Sequence, residues 1–193
     1  MRSFDPVLVG GLEADAWVAY YQRRWPAFLR SVLSLTRHSF GMPWPATVRG
    51  AWLVLRANQL WAPFPDNDPG RARACMQRFY ELVAERDGES FDPVQAARLE
   101  LEWWRIHREL QHHRGDVEEA PLIDALAALY RCVYGVAGDR PGIHTAAAER
   151  ALAMRHSDRW VAEGCEDASP MIEEERQALV RSYSALLDAV GFR

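Results

Sequence analysis

The chain contains no lysine. Its 23 basic residues are all arginine, against 27 acidic ones, for a formal net charge of -4. Together with plentiful alanine, that usage reflects a GC-rich coding sequence more than a function. The mild balance and the lack of a block of like charges argue against nucleic acid or an anionic membrane as a partner. Cysteine is also scarce. Cys75, Cys132 and Cys165 lie far apart, form no CxxC pair and are odd in number. This excludes a disulfide framework and points to a reducing, cytoplasmic compartment. No apolar run approaches a membrane span, and the start MRSFDPVLVGG is too short and lightly apolar for a signal peptide. There is no phosphate-cradling glycine loop, no G-x-S-x-G and no dinucleotide fingerprint. A short basic recognition helix for DNA is missing too. Strand-like alternation is absent, and β-branched residues are few.

What is present is apolar bulk. At 193 residues and 49% apolar, the chain can bury one sizeable core. Eight tryptophans stand out: Trp17, Trp25, Trp44, Trp52, Trp61, Trp103, Trp104 and Trp160. They suit either a core filled with indoles or an aromatic-walled pocket.

Gly, Pro, Asp and Ser clusters cut the chain into helix-length pieces with a helical apolar period. The pattern predicts seven helices, over residues 12–39, 45–61, 69–86, 92–113, 120–136, 142–163 and 170–190. Long helices on short loops predict an all-α, up-and-down bundle in a single domain. Candidate core positions include Trp17, Tyr21, Phe28, Val32 and Leu35 in the first helix, and Leu99, Trp103, Ile106 and Leu110 in the fourth. Leu122, Leu126, Leu129 and Val133 follow in the fifth, and Leu179, Tyr183, Leu186 and Val190 in the seventh.

The pentapeptide SFDPV occurs twice, at Ser3–Val7 and Ser90–Val94. Extended to fifteen residues, the two copies agree at 8 positions, including Glu13 with Glu100 and Trp17 with Trp104. Asp followed by Pro is a strong helix start: a side-chain cap, then a residue preset for the first turn. Two explanations stay open. One is convergence on a good cap. The other is an internal duplication that makes 12–39 and 92–113 equivalent.

Three side-chain groups are candidates for chemistry. The first is Glu100 and His107, seven apart and therefore on one face beside the apolar stripe of the fourth helix. Glu149 and His156 repeat the spacing on the sixth. Glu100 and His107 are candidate acid/base groups. With the two helices antiparallel, the four could instead form a metal site for iron or manganese, with help from Glu13 or Asp124. An E-x6-H on one helix resembles a feature of the heme-oxygenase-like diiron oxidases, which are helical bundles of about this size. That resemblance implies a non-haem metal oxidase. The family's second motif, H-x3-D-x2-H, has no counterpart here, since the last helix contains no histidine. The ferritin-like E-x2-H pair is missing as well. The plain alternative is a buried ion-pair network, with arginine partnering the carboxylates.

The second group is Arg24, Arg56 and Gln59, with Trp25, Trp52 and Trp61 as walls. A guanidinium fork and an indole face suit a small carboxylate or aromatic acid. The segment WAPFPDND either covers this pocket or is a rigid proline loop. The third is Trp104, which with Arg105 and Arg108 beside it reads as an interface anchor for a homodimer. His112 and His113 read as a cationic helix end. The leading expectation is binding, with or without conversion, of a small acidic or aromatic molecule in a Trp/Arg-lined pocket. The alternatives are the metal oxidase and an interaction module without catalysis.

Overall fold

The computed structural model describes residues 4–87, 91–112, 119–136, 138 and 140–191. Among them are eight helices: α1 (Pro6–Tyr21), α2 (Trp25–Phe40), α3 (Trp44–Trp61), α4 (Pro69–Asp87), α5 (Pro93–His112), α6 (Ala120–Tyr134), α7 (Pro141–Ala162) and α8 (Pro170–Val190). Each carries proline at its first or second position. Proline presets the helical φ, and the N–H it lacks would be unpaired there anyway. Eight of the 11 prolines are used this way.

The predicted helix 12–39 is two helices. The chain breaks at Gln22–Arg24, where Arg23 has φ 58, and Pro26 opens α2. The apolar period runs on through the break, so periodicity alone hides it. Proline inside the run marks it. The first helix also begins earlier than predicted, at Pro6.

Both SFDPV copies start a helix by the same cap. Asp5 Oδ1 accepts from the N–H of Val7 at 2.9 Å and of Leu8 at 3.3 Å. Asp92 Oδ1 accepts from Val94 N–H at 2.9 Å. Ser3 and Ser90 lie outside the described residues, as does His113. At the other end, α2 and α6 both stop on a left-handed glycine, Gly41 at φ 57 and Gly135 at φ 63.

Each helix packs on the next, and α8 returns to pack on α1. The eight helices therefore close into a ring. Its tightest seams need glycine. A Cβ on Gly10 would sit 2.9 Å from the backbone nitrogen of Val180, so α1 meets α8 at backbone distance.

The predicted apolar stripes face inward. Phe28, Val32, Leu99, Trp103, Leu122, Leu126, Leu129, Val133, Leu179 and Leu186 are buried. Trp17, Leu35, Ile106, Leu110, Tyr183 and Val190 are partly buried against the core. Tyr21 is half-buried and packs edge-on against Trp160. No helix among the described residues is long and apolar enough to cross a membrane. Cys75, Cys132 and Cys165 are free thiols.

Candidate functional site: a central cavity

The ring of helices surrounds a cavity of about 430 Å³, to which all eight helices contribute side chains. Its wall is largely aromatic, with Trp17, Trp61, Phe79, Tyr80, Trp103 and Trp104 among the lining residues. One face of α5 runs along it: Glu100, Trp103, Trp104, His107, Arg108 and Gln111. These are residues i, i+3, i+4, i+7, i+8 and i+11, the spacing of one helical face. Glu100 and His107 do share a face, as their spacing predicts.

The Glu100 carboxyl accepts from Tyr80 Oη at 2.7 Å and from Trp104 Nε1 at 3.0 Å. Trp103 Nε1 is turned to the same carboxyl without a hydrogen bond of ordinary geometry, and it has no other protein partner. Burial raises the Glu100 pKa, while the hydrogen bond from Tyr80 and the charge of Arg150 pull against it. Burial, then the neighbouring Glu100, hold the Tyr80 hydroxyl well above its ordinary value.

Farther along α5, His107 Nε2 lies 3.0 Å and 3.2 Å from the two oxygens of Asp158 on α7. Gln111 Nε2 donates to Asp158 at 2.6 Å and to the Tyr21 hydroxyl at 3.0 Å. With Nε2 held by the carboxylate, Nδ1 is the imidazole nitrogen left for any other partner. At the more exposed end, Arg108 donates to the Trp61 carbonyl at 2.8 Å, and its guanidinium lies 4.5 Å from the Trp61 ring centre.

A second polar station stands on α1. Glu13 is buried, and both its oxygens are bound by the Arg150 guanidinium of α7. The Tyr183 hydroxyl of α8 donates to the same carboxylate. Arg150 also donates to Tyr130 Oη at 3.4 Å, but its Nε has no partner. In the sequence Glu13 stands out as the match of Glu100 in the repeat and as a helper of a metal site. Arg150 was not legible, although an arginine among Ala146, Ala147, Ala151 and Ala153 is a signal that it needs a buried acid.

The arginine set predicted from sequence does not line this cavity. Arg24 is exposed at the start of α2. Arg56 donates to Gln59 one turn along α3. Trp52 is 54% exposed, and of that set only Trp61 is a wall. The exposed indoles belong to α3, not to Trp104, which is 8% exposed and therefore cannot be the interface anchor. Arg105 is exposed as expected, paired with Glu102 and Glu109.

The four residues of the metal alternative find separate partners. Glu149 pairs with Arg181 at 2.9 Å and His156 with Glu174 at 3.0 Å, while Glu100 and His107 are held as described. Among the described residues, no three His, Cys, Asp or Glu side chains are grouped to hold a metal ion. Asp124 is exposed. No protein family, curated protein or solved structure matches this chain.

Proposed function

We propose that this protein binds a small aromatic molecule in the central cavity, with Glu100 and His107 in place for any proton transfer to it. The observation that carries this is the face of α5 that lays two indoles, a carboxyl, an imidazole and a guanidinium along one aromatic-walled space. A volume of about 430 Å³ falls in the range of small-molecule sites, which are mostly apolar with a few convergent polar groups. The acidic-ligand version of this reading rests on Arg24 and Arg56. It loses that support because both stand away from the cavity.

Thermal shift with a panel of one- and two-ring aromatics tests the reading. A ligand that binds only the folded chain raises its melting temperature with concentration. The variant Leu35→Trp, which fills part of the cavity, should lose that response while keeping its own cooperative melt. The proposal falls if no compound shifts the wild type up to millimolar concentration, or if Leu35→Trp responds equally.

A second reading, an interaction face, is favoured by one specific feature. Trp44, Val48 and Trp52 form a stripe on α3 at i, i+4 and i+8, each more than half exposed. Arg37 lies over Trp44, 4.4 Å from its ring centre, and no acidic residue occurs from 16 to 65. Paired copies would bring these like charges together, so an acidic partner fits this face better than a homodimer. Sedimentation over a concentration series tests the homodimer. Association that Trp44→Ala with Trp52→Ala abolishes would favour it, and a monomer at every concentration would end it.

A further inference from the structure

The two SFDPV segments lead into two matching stations in the ring. Glu13 and Glu100 each stand eight residues after their capping aspartate, with Trp17 and Trp104 four residues further on. Each accepts a hydrogen bond from a tyrosine on the helix that precedes it around the ring: Tyr183 of α8 for Glu13, Tyr80 of α4 for Glu100. Each tyrosine is met edge-on by the phenylalanine of the motif. Phe4 lies 5.7 Å from Tyr183 between ring centres, and Phe91 lies 6.1 Å from Tyr80. Caps alone do not require this match of Phe, Tyr, Glu and Trp.

The stations differ in one respect. At Glu13 a cation fills the space in front of the carboxylate. Arg150 binds both oxygens and lies over the Trp17 ring at 5.6 Å. At Glu100 no arginine makes an ion pair among the described residues. The carboxyl has only neutral donors, Tyr80 and Trp104, and it fronts the cavity. A buried carboxylate is costly without a cation. The other charged groups on the cavity meet that need only in part. Arg150 acts on Glu100 through its charge but gives its hydrogen bonds to Glu13 and Tyr130, and Arg108 and Arg23 lie over the rings of Trp61 and Tyr20.

We infer that the ligand is an aromatic molecule with a basic nitrogen, whose cation takes at Glu100 the place that Arg150 takes at Glu13. This rests on the cavity being a ligand site. The ammonium or amidinium would donate to the Glu100 carboxylate, and its aromatic body would pack on Trp103 and Trp104. Cation–ring attraction to those indoles adds to the carboxylate's pull, as it does for Arg150 over Trp103 at 5.5 Å.

Three probes of nearly equal shape separate the possibilities: 2-phenylethylamine, 2-phenylethanol and 3-phenylpropionate. Titration calorimetry on the wild type should rank the amine at least tenfold tighter than the alcohol, and the carboxylate weakest. Glu100→Gln keeps the shape and removes the charge, so the amine should lose its tenfold lead over the alcohol. Binding led by the alcohol or the carboxylate would overturn this inference and leave the cavity reading standing. An amine preference that survives in a folded Glu100→Gln protein would overturn it as well. If none of the three binds while another aromatic of the thermal-shift panel does, this inference fails and the cavity reading stands; if nothing in the panel binds either, both fail. The ranking on the wild type needs no variant to fold.

Discussion

Arg150 of α7 closes on both carboxylate oxygens of Glu13 of α1, and the pair is almost wholly enclosed, with side-chain exposures of 12% and 6%. Such a pair spans the ring between helices that otherwise touch little. Removing one member leaves the other charged and unpaired in a low-dielectric space. Arg150→Met should therefore cost about 3–5 kcal/mol of unfolding free energy. Arg150→Met combined with Glu13→Leu should recover much of that loss, because no orphan charge remains. Urea unfolding of the two single variants and the double variant measures the coupling.

Glu175 gives the chain a second pH-sensitive group. It is 0% exposed between α7 and α8, accepts from Ser157 Oγ at 2.6 Å, and leaves its other oxygen unpaired. Burial pushes its pKa up to about 8, against the Ser157 hydrogen bond, which lowers it. Between the ordinary carboxyl value of 4.5 and about 8 the folded chain holds a proton that the unfolded chain has lost. Stability must then fall as pH rises through that window, with a slope approaching about 1.4 kcal/mol per pH unit from this group. Glu175→Gln, which cannot ionise, should melt higher than the wild type at pH 9, and the gap should close by pH 4. Melting curves across that range decide it, and a constant gap would refute the assignment.

The α1–α8 seam makes a sharper structural prediction. A side chain at position 10 meets the Val180 backbone, which cannot swing aside as a side chain can. Gly10→Val should cost about 1–3 kcal/mol or more through overpacking. Gly70→Ala, where an added Cβ meets only the Asp68 carboxylate at 3.6 Å, should be nearly neutral by the same denaturation assay.

How much of this was readable in the sequence depends on the range of the interaction. Helix class, caps and most core stripes follow from local rules, and Asp5 and Asp92 cap as their context predicts. The shared face of Glu100 and His107 is local too. Pairings across the ring are not. Asp158 reaching His107, and Arg150 reaching Glu13, bridge 51 and 137 residues. No spacing rule encodes that. Arg56 shows the opposite failure. A face shared with Trp52 suggested a pocket, but neighbouring helices set which face is covered, and here α3 turns Trp52 outward. Among the described residues Arg56 hydrogen-bonds only to Gln59, so Arg56→Ala should change stability by less than about 0.5 kcal/mol.

Trp104 tests whether Glu100 is poised as an acid by its neighbours. The indole N–H at 3.0 Å is one of the donors that hold the Glu100 pKa down against burial, after Tyr80, the Arg150 charge and Trp103. Trp104→Phe keeps a ring against Trp61 and Trp103 but removes that donor. The Glu100 pKa should rise further. A hydrogen bond to a charged acceptor contributes about 1.5–3 kcal/mol, and one to a neutral acid contributes less. The variant should therefore lose more stability relative to the wild type above the pKa of Glu100 than below it. Glu100→Gln removes the ionisation, so in that background the cost of Trp104→Phe should no longer depend on pH. Denaturation of the four proteins at acid and neutral pH separates this from simple loss of packing. Packing alone would make the cost the same in both backgrounds and at both pH values.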